Sequence, residues 1–220
     1  MTEDGAVPTD SAAISPPAID TVVFDLGQVL VDWNPRLAHP HLSAQQWDAV
    51  AQEIDFHAYN LRADGGQTWE SLDAEVASRW PQHEGFLRAY LEHFPDALLG
   101  PIAGTSELIA DLREAGIRLL GLSNWSVQTY PHGVAAAPAI TELEAVVVSG
   151  AIGLVKPAPE IFHHLIDAFG VAPARAAFVD DRSENVATAQ DLGFTGLVFT
   201  DAASLRLALR ALGVAIPAAT

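Results

Sequence analysis

Short runs of apolar residues recur along the chain and alternate with segments whose apolar positions repeat every three to four residues. Runs that are apolar on both faces are typical of strands buried in a parallel sheet, whereas the longer period is typical of helices. The strand-like runs are 21–25, 117–123, 143–149, 176–181 and 195–200, and the helical patterns include 105–116, 158–170 and 183–193. This alternation predicts an α/β fold, a doubly wound, Rossmann-like parallel sheet.

A long gap separates the first strand from the helix that begins at Thr105. It spans about 70 residues, far more than a usual crossover connection. Helical patterns within it lie near 43–59, 68–80 and 83–93. Pro and Gly punctuate both of its ends, at Asn34-Pro35 and at Gly100-Pro101. We predict a helical cap over the crevice where open α/β sheets bind ligands. The predicted division is a core of residues 20–34 and 100–220 and a cap of residues 35–99.

The first 19 residues differ in composition from the rest of the chain. They are rich in Ala, Pro, Ser, Thr and Asp and have no periodic apolar pattern. Such a segment buries too little apolar surface to offset the entropy lost on folding. We expect residues 1–19 to form a disordered tail.

Composition narrows the class of protein further. Half of the 220 residues are apolar, and the formal net charge is −17. Nucleic-acid binding requires clustered Lys and Arg, so a nucleic-acid partner is not expected. Cys is absent, which excludes disulfides, zinc-thiolate sites and a cysteine nucleophile. The first basic residue is Arg36 and no apolar run reaches 18 residues, so we expect neither a signal peptide nor a membrane helix, and a cytoplasmic location.

Polar residues follow four of the predicted strands. They are Asp25 after the first strand, Ser123 and Asn124 after the second, Lys156 after the third, and Asp180 and Asp181 after the fourth. Parallel strands bring their carboxyl ends to one edge of the sheet, so these side chains should meet there. Carboxylates brought together in this way suit Mg²⁺, which commonly bridges them to a phosphate. Lys156, the only lysine of the chain, would then hold phosphate oxygens together with Ser123 and Asn124.

These segments also resemble a known family. The sequences FDLGQVLVDW, LSNW, GLVKPAPEIF and FVDDRSEN occur in the same order as the four motifs of haloacid dehalogenase-like hydrolases, and together they span Asp25 to Asn185. The DLG form of the first motif, with the later SN and DD, is most similar to the subgroup of bacterial α-glucose-1-phosphate phosphatases and the phosphatase domain of soluble epoxide hydrolases. The resemblance implies a magnesium-dependent phosphoric monoester hydrolase.

The resemblance also implies a role for each matching residue. Asp25 would attack phosphorus and form an aspartyl-phosphate, which splits transfer to water into two displacements. Ser123 and Asn124 would bind the phosphoryl oxygens, although Ser and Asn are also common at plain strand-to-helix turns. Lys156 would neutralise charge on the nucleophile and on the transferring phosphoryl group.

The implied metal site uses Asp25, the backbone carbonyl of Gly27 and Asp181. Asp180 would orient Lys156 or a metal-bound water, and Asn185 falls where the family's longer fourth motif ends in Asp. Both residues are expected to lie outside the coordination sphere of the metal and to orient the groups that bind there.

Gly27 departs from the family pattern. Most phosphatases of the family carry at this position a second Asp that protonates the leaving oxygen and later activates water. Three accounts stay open: the leaving group needs little protonation, a cap residue substitutes, or the chain is a weak or silent phosphatase. The cap residues considered for that substitution are His57, Tyr59, Asn60, Arg62 and Asp64.

Other functions agree less well with these residues. A metal-independent 2-haloacid dehalogenase is disfavoured by the DLG form and by the Asp180-Asp181 pair. A response-regulator phospho-acceptor would carry its acidic pair at the first strand rather than the fourth. The main alternative is a weakly active or inactive phosphatase-like binding protein. We predict a Mg²⁺-dependent phosphatase of a small phosphorylated metabolite such as a sugar phosphate. The sequence does not indicate an oligomeric state.

Overall fold

The computed structural model describes residues 19–218. Residues 1–18 of the predicted disordered tail lie outside the described part of the chain. Ile19, the last residue of that predicted tail, is buried and packs into the hydrophobic core.

A parallel sheet forms the centre of the molecule. The strands are β1 (Thr21–Phe24), β2 (Val31–Trp33), β3 (Leu98–Pro101), β4 (Arg118–Ser123), β5 (Ala145–Val148), β6 (Ala176–Asp180) and β7 (Thr195–Val198). Five of them form a sheet of order β5-β4-β1-β6-β7, and all four pairings in it are parallel. The predicted fold class and all five core strands are confirmed. Because β1 lies between β4 and β6, the residues that end these three strands are neighbours.

Helices cover both faces of the sheet and form the cap. They are α1 (Ala44–Ile54), α2 (Phe56–Asp64), α3 (Trp69–Arg79), α4 (Phe86–Glu92), α5 (Thr105–Glu114), α6 (Tyr130–Ala136), α7 (Ser149–Ile152), α8 (Pro159–Phe169), α9 (Ser183–Asp191) and α10 (Ala202–Ala211). Successive residues of a strand point to opposite faces. Val22 and Phe24 accordingly enter one apolar cluster and Val23 enters the other. This two-sided burial explains why the strand sequences are apolar throughout.

The cap consists of α1 to α4 and joins the core through a two-stranded antiparallel ribbon. In this ribbon β2 pairs with β3, with Asp32 opposite Gly100. The predicted helical segment 43–59 is two helices, because Asp55 adopts a left-handed conformation (φ 58°) and ends α1. The Asp55 side chain then caps α2 by accepting from the backbone N–H of Ala58. The exact domain boundaries stay a prediction.

An aromatic cluster packs the cap helices together and reaches the core. Tyr90 of α4 lies 5.0 Å from both Phe56 and Trp69, measured between ring centroids. Phe94 contacts Tyr90 on one side and Trp125 of the core on the other, at 5.5 and 6.3 Å. Such edge-on contacts between buried rings hold the cap above the sheet. Across residues 19–218, each helix is too short or too polar to cross a bilayer.

Candidate active site

Asp25 lies directly after β1, at the centre of the carboxyl edge of the sheet. Its backbone N–H donates to the carbonyl of Val179 on β6 (2.8 Å), which continues the strand pairing. Its carboxylate Oδ1 accepts from the backbone N–H of Leu26 at 2.7 Å. Only 8% of the residue is exposed, so the carboxylate is fixed in direction and largely removed from solvent.

Lys156 lies between two buried carboxylates. Its Nζ is 2.9 Å from Oδ1 of Asp25 and 2.7 Å from Oδ2 of Asp180. Burial raises the pKa of Asp25 to about 6, and the charge of Lys156 opposes that rise. Burial alone lowers the pKa of Lys156, but the two carboxylates outweigh it and raise the pKa above its ordinary value. Lys156 is therefore a permanently charged group beside Asp25.

Asn124 contacts the backbone of Lys156 in both directions. Its Nδ2 donates to the carbonyl of Lys156 (2.9 Å), and its Oδ1 accepts from the N–H of Lys156 (2.8 Å). The side chain thus positions the lysine, a contact that the sequence did not predict. Binding of a phosphoryl oxygen by Asn124 stays a prediction. Such a contact would use the second hydrogen of the Asn124 amide or its backbone N–H.

Ser123 ends β4 beside Asp25. Its Oγ is buried and has no hydrogen-bond partner within residues 19–218. A buried hydroxyl without a partner is unfavourable unless a ligand pairs with it. This orphaned oxygen therefore fits the predicted contact with a phosphoryl oxygen.

Asp180 is held by several donors besides Lys156. The Asn185 Nδ2 donates to both of its carboxylate oxygens (2.9 and 3.0 Å), and the backbone N–H of Arg182 donates to Oδ1 (2.9 Å). Asp180 therefore orients Lys156, and Asn185 orients Asp180 from the first turn of α9.

Removing the Asn185 amide should destabilise the protein. We expect Asn185→Leu to lower the free energy of unfolding by about 1–3 kcal/mol, because the buried carboxylate of Asp180 loses the amide that contacts both of its oxygens. Urea unfolding at neutral pH measures this loss. The exposed Ala187 lies on the same helix, and Ala187→Ser should change the stability by less than about 0.5 kcal/mol. Equal stabilities of the two variants would contradict the proposed support of Asp180 by Asn185.

Three carboxylates at this edge form a candidate metal site. Asp25, Asp180 and Asp181 each offer an oxygen, and these three atoms lie within 4.8 Å of one another. Carboxylate oxygens are the ligands that Mg²⁺ prefers, so this donor set fits that ion. Asp181 is the most exposed member of the cluster, yet partial desolvation of its carboxyl group and the nearby charge of Asp180 raise its pKa. The sequence predicted Asp25 and Asp181 as ligands, with the carbonyl of Gly27.

A cavity of about 580 Å³ opens between the strand ends and the cap. The core contributes Asp25, Gly27, Asn124, Lys156 and Asp181 among others. The cap contributes His57, Ala58, Asn60, Leu61 and Asp64. A smaller recess of about 70 Å³ shares Gly27 and Asp64 and is walled by aromatic rings. These volumes suit a small molecule whose polar end faces Asp25.

Sequence reasoning missed the aromatic wall of the recess. Its rings are those of Trp33, Tyr90, Phe94 and Trp125. Trp33 and Trp125 each follow a motif closely, in the segments VDW and LSNW, and that adjacency could have indicated their place. Tyr90 and Phe94 gave no such signal, because their position depends on how the cap folds over the core.

Two of the five cap residues that could replace the missing Asp, Tyr59 and Arg62, contact Glu75 instead of lining the cavity. The Tyr59 hydroxyl donates to Glu75 (2.9 Å), and the Arg62 guanidinium forms an ion pair with the same carboxylate (2.6 Å). His57, Asn60 and Asp64 line the cavity, so the structure reduces the five candidates to these three.

A comparison with protein families identifies the chain. The model of the haloacid dehalogenase-like hydrolases matches residues 19–193. The chain belongs to this hydrolase family. The five-stranded core with its cap is the fold of haloacid dehalogenase-like hydrolases of known structure.

Several members of the hydrolase family are similar over most of their length. D-ribitol-5-phosphate phosphatase of Bacteroides thetaiotaomicron is 41% identical over 80% of this chain and 89% of its own. The sesquiterpene phosphatase astK of Aspergillus oryzae is 25% identical over 86% of this chain and 94% of its own. A family enzyme of B. thetaiotaomicron, solved in complex with magnesium and inorganic phosphate, aligns with a TM-score of 0.68 at 20% identity, covering 83% of this chain and 95% of that one.

Proposed function

We propose that this hydrolase is a Mg²⁺-dependent phosphatase of a small phosphorylated metabolite. The observation that carries the proposal is the contact of the Asp25 carboxylate with Lys156 at the floor of the cavity, beside Asp180 and Asp181. Mg²⁺ held by Asp25, Asp181 and the Gly27 carbonyl would neutralise charge on the phosphoryl group. The similarity to two phosphatases over most of their length supports the same reaction.

The chain's own residues perform the displacement in this proposal. A carboxylate oxygen of Asp25 attacks phosphorus, and the bond from phosphorus to the leaving oxygen breaks. Lys156 stays bound to Asp180 and neutralises charge on the transferring group, while the Ser123 hydroxyl donates to a phosphoryl oxygen. Water then displaces Asp25 from phosphorus. With the pKa of Asp25 at about 6, most of this nucleophile is ionised at neutral pH.

The proposed substrate is a small phosphate ester, and a sugar or polyol phosphate is our preferred class. The cap encloses the cavity above Asp25, which limits the size of the group that leaves. The amide side chains of Asn60 and Asn124 face this space beside the rings of Trp33 and Trp125. Amides bind hydroxyl groups, and aromatic rings pack on the apolar faces of sugars. One similar phosphatase acts on ribitol 5-phosphate.

Removal of metal tests the proposal. The native protein should release phosphate from 4-nitrophenyl phosphate and from sugar phosphates with MgCl₂ present. A chelator should lower the rate by at least about 10²-fold, and added Mg²⁺ should restore it, because the metal offsets several kcal/mol of charge repulsion. A phosphate-release assay over this panel measures both effects. Release that is unaffected by the chelator would reject the metal, and no release from any ester would favour the binding-protein alternative.

A further inference from the structure

Asp64 is the last residue of α2 and lies at the boundary between the cap and the catalytic edge. It lines both the cavity that contains Asp25 and the aromatic recess, and Gly27 lines both as well. The residue is 8% exposed, and its Oδ2 accepts from Nδ2 of Asn60 at 2.9 Å. A carboxyl group of the cap thus lies in the space that a side chain at position 27 would share.

The backbone at Asp64 is attached to the core. The buried hydroxyl of Ser149 donates to the carbonyl of Asp64 at 2.5 Å, and the same Oγ accepts from the N–H of Trp125 at 2.9 Å. Two residues on, the chain passes so close to α7 that a Cβ on Gly66 would lie 3.2 Å from the Gly150 carbonyl oxygen. These contacts fix the end of α2 against the catalytic edge, as a positioned proton donor requires.

The surroundings of Asp64 favour its protonated form near neutral pH. Burial raises the pKa of Asp64 to about 7, the backbone of Ser126 opposes this rise, and the charge of Asp25 adds to it. The charge of Lys156 lowers the pKa of Asp64. The charge of Asp64 in turn contributes to the raised pKa of Tyr90 in the cap. Three further charged or titratable groups line the same cavity: His57, Asp181 and Arg182.

We propose that Asp64 is the general acid and base of this hydrolase and replaces the carboxyl group that Gly27 lacks. The assignment rests on the proposed phosphatase function. In the first step Asp25 bonds to phosphorus, the bond to the leaving oxygen breaks, and the Asp64 carboxyl group gives its proton to that oxygen. In the second step the Asp64 carboxylate takes a proton from water, whose oxygen bonds to phosphorus as Asp25 leaves. The enzyme returns to its starting state, and one ester and one water become one alcohol and one phosphate.

The other cap residues facing the cavity suit this role less well. Asn60 has no titratable proton, and its amide donates to Asp64 itself. His57 is exposed and lies edge-on to Phe56, at 5.8 Å between centroids. Asp64 is the buried carboxyl group of the cap that lines this cavity, so it is the residue to test.

Leaving groups of different basicity test the proposal. Asp64→Asn should lower kcat/KM, which reports the first displacement, by about 10² to 10⁴-fold on an alkyl phosphate such as glycerol 3-phosphate, whose leaving oxygen needs a proton. On 4-nitrophenyl phosphate, whose leaving group departs readily without one, kcat/KM should fall by less than about tenfold, whereas kcat should fall on both esters because the second displacement loses its base. For the native protein, kcat/KM on the alkyl ester should fall as the pH rises through about 7, and this limb should vanish in the variant. Binding of inorganic phosphate, followed by tryptophan fluorescence, should be retained.

Rescue at position 27 provides the matched control. A Cβ on Gly27 would have no heavy atom of residues 19–218 within 4 Å beyond its chain neighbours, so a side chain fits there. In the Asp64→Asn background, Gly27→Asp should restore at least about tenfold of the lost turnover on the alkyl ester. In the native background Gly27→Asp should raise the ratio of kcat/KM on the alkyl ester to that on 4-nitrophenyl phosphate by less than it does in the Asp64→Asn background, because Asp64 already supplies the proton.

Two outcomes separate this inference from the function on which it rests. Asp25-dependent release from both esters, with Asp64→Asn lowering kcat/KM equally on the two esters or not at all, overturns the role of Asp64 alone. No release of phosphate by the native protein from either ester overturns both proposals. If Asp64→Asn fails to fold, Asp64→Ala provides the same test: kcat/KM should fall much more on the alkyl ester than on 4-nitrophenyl phosphate, and an equal fall on both esters would count against the proposal.

Discussion

Replacing Asp25 with Asn should lower phosphate release by about 10³-fold or more. The amide has almost the shape of the carboxylate but cannot form the bond to phosphorus, and loss of a nucleophile removes the whole covalent route. The loss should be the same for good and poor leaving groups, unlike that expected for Asp64→Asn. Steady-state rates on 4-nitrophenyl phosphate and a sugar phosphate measure it, and acid-quenched protein should carry no aspartyl-phosphate.

The Asp25→Asn variant should nevertheless keep its fold. Lys156 retains its 2.7 Å contact with Asp180, so its charge stays paired. Burial already raises the pKa of Asp25, which means that the ionised carboxylate destabilises the native state relative to the unfolded one. The melting temperature should therefore be unchanged or higher. Asp191→Asn, at an exposed position of α9, is the control and should keep full activity. Activity of Asp25→Asn close to native would reject Asp25 as the nucleophile.

The sequence predicted the catalytic edge because the relevant information is local. Asp25, Ser123 and Asp180 each end an apolar run, and parallel strands place such residues together whatever the details of packing. For this reason the sequence alone assigns four widely separated segments to one site. Lys156 comes after β5 and the short helix α7, so its contact with the acidic residues depends also on the loop that Asn124 holds.

The cap could not be predicted to the same depth. From the sequence, Arg62 and Asp64, two residues apart on one helix, are equally good candidates. Their positions differ because Arg62 forms an ion pair with Glu75 on α3, whereas the Asp64 carbonyl accepts a hydrogen bond from Ser149 of the core. Both partners are distant in sequence, and no period or motif indicates them. The same applies to Asn124, whose pairing with the Lys156 backbone depends on how two loops meet.

Replacing Lys156 with Met should have the largest effect on stability. Lys156 is the cation between the buried carboxylates of Asp25 and Asp180, with 1% of its side chain exposed. Removing one partner of a buried ion pair leaves charge without compensation, which costs about 3–5 kcal/mol. We therefore expect the free energy of unfolding at pH 8 to fall by about that amount. Phosphate release should be lost as well, because Lys156 no longer neutralises charge on the nucleophile and on the transferring phosphoryl group.

The pH dependence of this loss tests its electrostatic origin. The pKa of Asp25 is already raised to about 6 in the folded protein, and the charge of Lys156 keeps it from rising further. A carboxyl group whose folded pKa exceeds its unfolded value destabilises the fold above the folded pKa, and the penalty fades as the pH falls toward the unfolded value, about 4. The difference in stability between the native protein and Lys156→Met should therefore be largest at pH 8 and smaller at pH 5. Denaturant unfolding at both values measures it.

A double-mutant cycle separates lost charge pairing from lost packing. In the Asp25→Asn background one buried carboxylate is already neutral, so Lys156→Met should destabilise the protein less than it does in the native background. A coupling on the order of 1–3 kcal/mol between the two substitutions is expected for groups in direct contact. If Lys156→Met destabilised both backgrounds equally, and equally at pH 5 and pH 8, the loss would come from the packing of the lysine's alkyl chain. The Asp25–Lys156–Asp180 cluster would then hold its geometry without depending on the charge at its centre.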